Sequence, residues 1–440
     1  MTDASEMVTA CADDDLEFVR LFFVDTSGVI RGRAVSADRV GSAATGSVTC
    51  PRNVLSMDFT DGYASDGAYG PDGEFRLDPD PDTFATLPYA DRAGLLLCDL
   101  ATPDGEPLPA CARSALRSFL SGIDYDVVSA FESECYLFGD RDGDASRLER
   151  TPLFSADGIH RAGEFAVELK RALRTQGIDL DTYYPEGGAG QIEVVTRHAR
   201  GITAADDHVL KRRSVKRVAA ETGYEATFAP MVAPDSSPAG MHLNVSVWDG
   251  GENVFHAAEA AADDQYPLSD RARHFVGGLL DHAPGLCALT APTELSYRRM
   301  RLHDLAADRA TWGTGDRQCL VRVPLADAGD RSESTRIEYR LADNTVNPYL
   351  ALLGVLAAGF DGIRNRIDPG DPAGDGGATA ADRLPATLSE ALDAFEDDAV
   401  LRGALGQELA DTYAVVKRSH ASGQAGTFSQ ERIDDYRRAF

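Results

Sequence analysis

Hydrophobic and polar residues alternate along several short stretches of this chain, and residues two apart in a strand share a face. Residues 241–248, MHLNVSVW, put Met, Leu and two Val on one side and His, Asn and Ser on the other. Residues 319–325, CLVRVPL, and 335–343, TRIEYRLAD, alternate too, and residues 190–199, GQIEVVTRHA, add a further strand. Near the start, LEFVRLFFVDTSGVIRGRAV (16–35) predicts two strands joined by a Ser-Gly turn. Residues 93–110 predict a buried strand with a turn-rich exit, which places a domain boundary near 103–109. Asp, Gly and Pro crowd residues 58–90, which predicts loops. YDVVSAFESECYLFGDRDGD (125–144) predicts a strand pair ending in an acidic loop.

Helical periodicity takes over elsewhere. Residues 111–123 and 163–178 predict helices, the second closed by Gly177. Residues 204–223 predict an amphipathic helix ending at Gly223, with a basic face expected to be solvated. Residues 347–363 are apolar and helical. Seventeen residues with polar flanks predict a core helix, not a membrane span. Residues 367–383 predict a flexible acidic loop, and the last fifty residues predict helices. No internal repeat is present.

Charge changes this picture more than length does. The 440 residues carry a formal charge of −28, spread along the chain. That balance argues against nucleic acid or an anionic membrane as partner. Only Lys170, Lys211, Lys216 and Lys417 are lysines, so arginine supplies most positive charge. The pattern resembles proteins of salt-accumulating halophiles, whose acidic surfaces stay hydrated in concentrated salt. The acidic N-terminus lacks the basic start and apolar core of a signal peptide, so a cytoplasmic location is expected. Seven scattered cysteines without a CxxC pair are expected to be reduced thiols.

The candidate chemistry lies in isolated polar residues on the strands. Glu132 and Glu134, in AFESECYLF, share one strand face beside apolar neighbours. Like charges so placed repel and require a cation. Glu186 and Glu193 flank a Gly-rich turn, His242 stands alone on an apolar strand, and Glu338 lies between Arg336 and Arg340. Each singly reads as structural: a satisfied core histidine, a salt-bridge member, an exposed loop acid. Together, five carboxylates and one imidazole suit Mg²⁺ or Mn²⁺ rather than zinc. Hard divalent ions held this way commonly bind nucleotide phosphates, and Arg299, Arg317, Arg322, Arg336 and Arg340 suit the same anions. A P-loop is excluded, because GxxxxGK[ST] does not occur. Asp140, Asp142 and Asp144 resemble the opening of a calcium loop, but Thr151 stands where the closing glutamate belongs.

Seven segments in order, DPDPDTFATLPY, FESECYLF, PEGGAGQIE, AGMHLNVS, GGLLDHAPGL, APTELSYRR and RIEYRLADNTVNPYLA, resemble the glutamine synthetase family along nearly the whole chain. The resemblance implies an α+β fold. A small β-grasp-like N-terminal domain (1–105) would precede a catalytic domain (106–440) with a curved antiparallel sheet. It implies two metal ions per site, the first held by Glu134, Glu186 and Glu193, the second by Glu132, His242 and Glu338. It implies ATP, glutamate, and ammonia or an organic amine as substrates, joined through γ-glutamyl phosphate. Arg317 and Arg340 would steady the transferring phosphoryl group. Arg299, Gly240, His242 and Arg340 would line the amino-acid site, and Ser246, Arg322 and Arg336 would lie near ATP. Homo-oligomeric rings, often dodecamers, with sites between subunits, are implied as well.

Departures from the family pattern concern the acceptor. Leu305 aligns with the flap glutamate that helps deprotonate ammonium, and Asp304 beside it is the candidate replacement. The loop before the histidine reads SSPAGMH, with Ser237 and Pro238 replacing the family's Asn and Gly, and Asn244 replaces a second histidine. Leu153 stands for an aromatic hydroxyl of the ammonium pocket, and the loop opened by Asp61 reads DGYA rather than DGSS. No tyrosine in 367–383 is available for adenylylation. The opening FVDTSGVIRGRAV resembles the branch that joins glutamate to polyamines or other amines. These departures favour a larger, more apolar amine; the alternative is a non-catalytic sensor of nucleotide or amino acid.

Overall fold

The computed structural model describes residues 4–43, 46–139, 150–234, 236–259, 266–301, 308–326, 329–373, 382–423 and 429–440. Strands β1 (Phe18–Val24), β2 (Ile30–Ser36), β3 (Thr49–Pro51), β4 (Glu74–Pro79), β5 (Ala85–Thr86) and β6 (Ala93–Ala101) build a first sheet. Its order is β2-β1-β6-β4-β3, with β5 on β6. The β1–β2 hairpin forms as the alternation predicts, with Val19, Leu21 and Phe23 buried. The loop expectation for 58–90 is corrected: β4, β5 and a short 3-10 turn lie within it. Phe75, Leu77 and Pro79 face inward from β4, an alternation too short to stand out among its Asp, Gly and Pro neighbours.

The hairpin turn is pressed into the rest of the molecule. The Asp25 carboxylate accepts from the Ser27 and Val29 amides, each at 2.9 Å. Gly28 takes φ 87°, and a Cβ there would sit 2.5 Å from the Thr345 carbonyl oxygen, so glycine is required. Asn347 donates to the Asp25 carbonyl at 2.9 Å.

The second sheet has ten strands: β7 (Asp126–Phe138), β8 (Leu180–Pro185), β9 (Gln191–Thr196), β10 (Ala199–Arg200), β11 (Glu225–Thr227), β12 (Met241–Asp249), β13 (Glu252–Asn253), β14 (Trp312–Thr314), β15 (Val321–Val323) and β16 (Ile337–Tyr339). Its order is β14-β15-β16-β12-β7-β9-β8. The sheet is antiparallel except for the parallel pair β14–β15. Residues 126–138 form one thirteen-residue strand, not the expected pair. The polar Ser129, Glu132 and Glu134, which suggest a break in the sequence, are carried within continuous ladders to β12 and β9. The acidic stretch with Asp140, Asp142 and Asp144 lies outside the described residues.

Helices cover the back of this sheet. In the Thr203–Glu221 helix, Lys211 and Arg212 are buried, which corrects the solvated basic face. Long aliphatic stems bury readily once the head finds acceptors. Here the Lys211 ammonium donates to the Phe131 carbonyl at 2.6 Å and the Val194 carbonyl at 3.4 Å. The Pro348–Asn365 helix is buried through Gly362 and is the core helix its apolarity predicts. Asn347 caps it, accepting from the Tyr349 and Leu350 amides. It crosses the Asp270–Asp281 helix at glycines: a Cβ on Gly278 would lie 2.0 Å from the Ala358 carbonyl oxygen. All seven cysteines are buried free thiols. Among the described residues, no helix is long and apolar enough to cross a membrane.

Candidate active site

Strand register assembles the site. On β7, Glu132 and Glu134 face one way and Ser133 and Cys135 the other. His242 of β12 pairs with Glu132, and two residues on, Asn244 pairs with Glu338 of β16. Glu193 of β9 pairs with Glu134, and Tyr184 of β8 pairs with Glu193. Five strands thus bring their isolated polar residues to one region of the sheet.

Glu132, His242 and Glu338 converge. The His242 Nδ1 atom lies 3.5 Å from Glu132 Oε2 and 3.5 Å from Glu338 Oε1. Among the described residues, this is the one group of three such side chains with ligand atoms all within 4.8 Å. Arg322 and Arg340 both donate to the buried Glu338 carboxylate. Burial alone would raise the pKa of Glu338, but His242, Arg340 and Arg322 hold it below the usual carboxylate value. At His242, burial and Arg340 oppose the charged form. The hydrogen bond to Glu132 and the charges of Glu338 and Glu132 outweigh them and raise its pKa. Asn244 donates to Glu132 Oε1 at 3.0 Å and accepts from Arg336 Nε at 3.0 Å.

Glu134, Glu186 and Glu193 lie alongside, without converging as closely. Glu134 accepts from Gln191 Nε2 at 2.6 Å and from the Gly240 amide at 3.1 Å. Burial, then the Glu134 charge, pushes Glu193 up to about 8 and Glu186 up to about 7. Glu193 is buried, and its Oε1 has no hydrogen-bond partner. A carboxylate cluster with raised pKa values and an orphaned oxygen is short of positive charge. An all-oxygen set of this kind fits a hard divalent cation.

Gly240 lets the backbone pass close beside these groups. A Cβ there would lie 3.1 Å from Arg299 Nη1, 3.4 Å from Glu134 Oε1 and 3.7 Å from His242 Nε2. Arg299 is buried and donates to the Leu341 carbonyl, with Nε 3.8 Å from Asp343 Oδ2. Asn344 Nδ2 donates to the Glu134 and Gly240 carbonyls, each at 3.1 Å, tying strand to loop.

The remaining predicted residues are more scattered. Arg317 is exposed, and its carbonyl accepts from Arg340 Nε at 3.2 Å. Ser246 is buried on β12, where its hydroxyl accepts from Trp248 Nε1 at 2.9 Å. Asp61 lies between β3 and β4 at φ 62° and pairs with Arg31 at 2.8 Å; none of its described contacts reaches the glutamates. Asp304 lies outside the described residues. Leu153 and Phe154 are exposed, and the Phe154 ring sits 4.9 Å from that of Tyr184, whose hydroxyl hydrogen-bonds Glu193. Gln191, Tyr184 and Asn344 were not singled out from the sequence. Gln191 carried a signal, since it stands two before Glu193 and so shares its face. Asn344 carried none, because a loop brings it in.

The sequence model for the glutamine synthetase catalytic domain matches residues 110–436, and that for the glutamine synthetase N-terminal domain matches residues 4–108. The chain belongs to the glutamine synthetase family. It is 35% identical to a gamma-glutamylpolyamine synthetase of Streptomyces coelicolor, over 95% of this chain and 91% of that protein. It is 32% identical to a glutamine synthetase of Halobacterium salinarum over 100% of both chains. Among solved structures it is similar to a glutamine synthase homolog, with TM-score 0.86 and 30% identity over 97% of this chain and 99% of that one. It is also similar to GmaS without ligand, with TM-score 0.84 and 29% identity over 98% of each chain. As a member of the glutamine synthetase family it is an ATP-dependent carbon–nitrogen ligase. The family uses ATP and a divalent metal, and the acidic set on the sheet is chemically suited to that metal.

Proposed function

We propose that this protein joins the side-chain carboxylate of glutamate to an organic amine, by way of γ-glutamyl phosphate. The observation that carries the reading is the convergence of Glu132, His242 and Glu338, with arginines on Glu338 and a second carboxylate group beside it. In this reading Glu132, His242 and Glu338 hold one Mg²⁺ or Mn²⁺, and Glu134, Glu186 and Glu193 hold another. When bound, the cations neutralise charge on phosphoryl oxygens. Residues 1–105 and 106–440 are the two domains, and a homo-oligomeric ring is the working form.

The steps balance without further reactants. The glutamate carboxylate attacks the γ-phosphorus of ATP, and ADP leaves. The amine attacks the resulting acyl carbon, phosphate leaves, and the amine nitrogen loses a proton. Arg299 orients the α-carboxylate of glutamate, with Gly240 leaving it room. Arg340 and Arg317 steady the transferring phosphoryl group, and Arg322, Arg336 and Ser246 serve ATP. Asp304 and Asp61 are the candidates for managing the charge of the amine.

An organic acceptor is favoured over ammonium by Leu305 at the flap position and by exposed Leu153 and Phe154. Similarity to a gamma-glutamylpolyamine synthetase points the same way. The test is phosphate release in molar KCl with ATP, Mg²⁺ and glutamate, offering ammonium, putrescine, spermidine, ethanolamine and monoamines in turn. Turnover with an organic amine, and its γ-glutamyl amide by mass spectrometry, is expected. Efficient turnover with low ammonium makes the protein a glutamine synthetase. Silence with every amine in folded protein favours the sensor.

A further inference from the structure

Lys211 is a fully buried lysine whose charge meets no carboxylate in a described ion pair. It sits on the back of the sheet, one face away from the candidate metal ligands. Phe131 precedes Glu132 and Val194 follows Glu193, so its two carbonyl acceptors belong to the strand segments that carry the site. The β7–β9 ladder runs from Glu132 to Tyr136, so Phe131 stands just past its end. There the ammonium bridges the two strands. His208, one turn earlier on the same helix, stacks on Phe131 with ring centroids 4.7 Å apart. Burial, Lys211 and Arg212 hold His208 neutral, so it does not share the role of cation.

Burying an ammonium is costly unless other charges favour it. Carbonyl oxygens satisfy its hydrogen bonds but carry no net charge. Burial draws the Lys211 ammonium down to about 8, and the groups that oppose this are Glu193 and Glu132 first, then the Cys135 thiol and Asp207. The two strongest are metal-ligand candidates across the sheet.

We infer that Lys211 is the resident counter-ion of the metal site, a positioning residue whose ammonium keeps the glutamates assembled while no metal is bound. The inference rests on the metal-site reading above. It has a definite sign. Lys211 stabilises the empty carboxylates and repels an arriving divalent cation, which adds more positive charge than the protons it displaces. Without Lys211 the empty site is less stable and the cation binds more tightly.

The experiment compares wild type with Lys211→Met, and with Lys211→Gln, which keeps a donor for the carbonyls without the charge. Full-length protein at pH 7.5 in fixed KCl is titrated with Mn²⁺ by calorimetry, and thermal unfolding is followed with EDTA or saturating Mn²⁺. Both variants are expected to melt lower than wild type in EDTA, to recover most of the difference with Mn²⁺, and to bind Mn²⁺ roughly tenfold more tightly. Equal or weaker Mn²⁺ binding in the variants overturns the inference, because a merely structural clamp predicts it. Failure of both variants to fold even in Mn²⁺ also overturns it, since the metal should replace a counter-ion. If wild type itself binds no Mn²⁺, the metal-site reading fails first, and the inference with it.

Discussion

At the scale of single residues, the raised carboxylates set a pH dependence. Glu193 and Glu186 move from 4.5 to about 8 and about 7 on folding, so the metal-free folded chain binds more protons than the unfolded one. Stability contributed this way is intact below the unfolded value near 4.5 and is lost as pH rises through 7 and 8. The raised His242 acts in the same direction, its contribution fading as pH rises through its folded value. In EDTA, the share of the melting temperature set by these groups, read as wild type minus Glu193→Gln, is therefore expected to fall between pH 5 and 8.5, and the stabilisation given by Mn²⁺ to grow. A flat profile in thermal scans would contradict this electrostatic account. Gly240 makes a separate prediction. Gly240→Ala puts a methyl 3.1 Å from Arg299 Nη1 and 3.4 Å from Glu134 Oε1. It is expected to raise the KM for glutamate roughly tenfold or more. The melting temperature is expected to fall only modestly, since the methyl must push the end of the Arg299 side chain aside by a few tenths of an ångström. Steady-state kinetics beside a thermal scan checks both.

At the scale of elements, glycines separate crowded helix contacts from open ones. Gly278→Ala drives a Cβ to 2.0 Å from the Ala358 carbonyl, between backbones that cannot yield. It should cost about 1–3 kcal/mol in denaturant unfolding. Gly403→Ala, in the Ala399–Leu405 helix, meets nothing within 4 Å and is expected to stabilise by about 0.5–1 kcal/mol. The sequence shows glycines at both places but does not tell them apart, because the crowding comes from a helix distant in the chain. The same reason explains what could be read of the fold. The β1–β2 hairpin, β12 and the Pro348–Asn365 helix were legible because their periodicity is local. β4 was hidden by its neighbours, and β7 was split by its own polar residues. The six candidate ligands were legible as oddities on strands and their grouping through the family resemblance, while strand order shows how Glu132, His242 and Glu338 come to meet. Lys211 reads as solvated in the sequence because nothing nearby announces the Phe131 and Val194 carbonyls that accept from it.

At the scale of the whole molecule, charge and packing oppose each other. A net −28 on 440 residues repels itself in dilute buffer, while the core and the docked Gly28 turn hold the chain together. Raising KCl from about 0.1 to 2 M shortens the screening length from about 10 Å to under about 3 Å. The melting temperature is expected to climb steadily across that range. A ceiling reached already near about 0.2 M would mean that the surface acids do not limit stability. The β1–β2 turn is also held against Thr345 and Val346 by a tight contact rather than a loose tether. Replacing Gly28 by Val, against the Thr345 carbonyl, should disturb the start of the Pro348–Asn365 helix as well as the hairpin, visible as lost amide protection in both by hydrogen exchange.

The unbroken β7 strand constrains how this gene can change. Along it, Glu132 and Glu134 look toward the candidate chemistry while Phe131, Ser133 and Cys135 look toward the helix behind. Substitutions alter one side at a time. Inserting or deleting a single residue within residues 126–138 reverses every side chain beyond it, sending carboxylates into the apolar layer and apolar groups into the site. Lineages descended from such a chain can vary this segment in its letters, but hardly in its length.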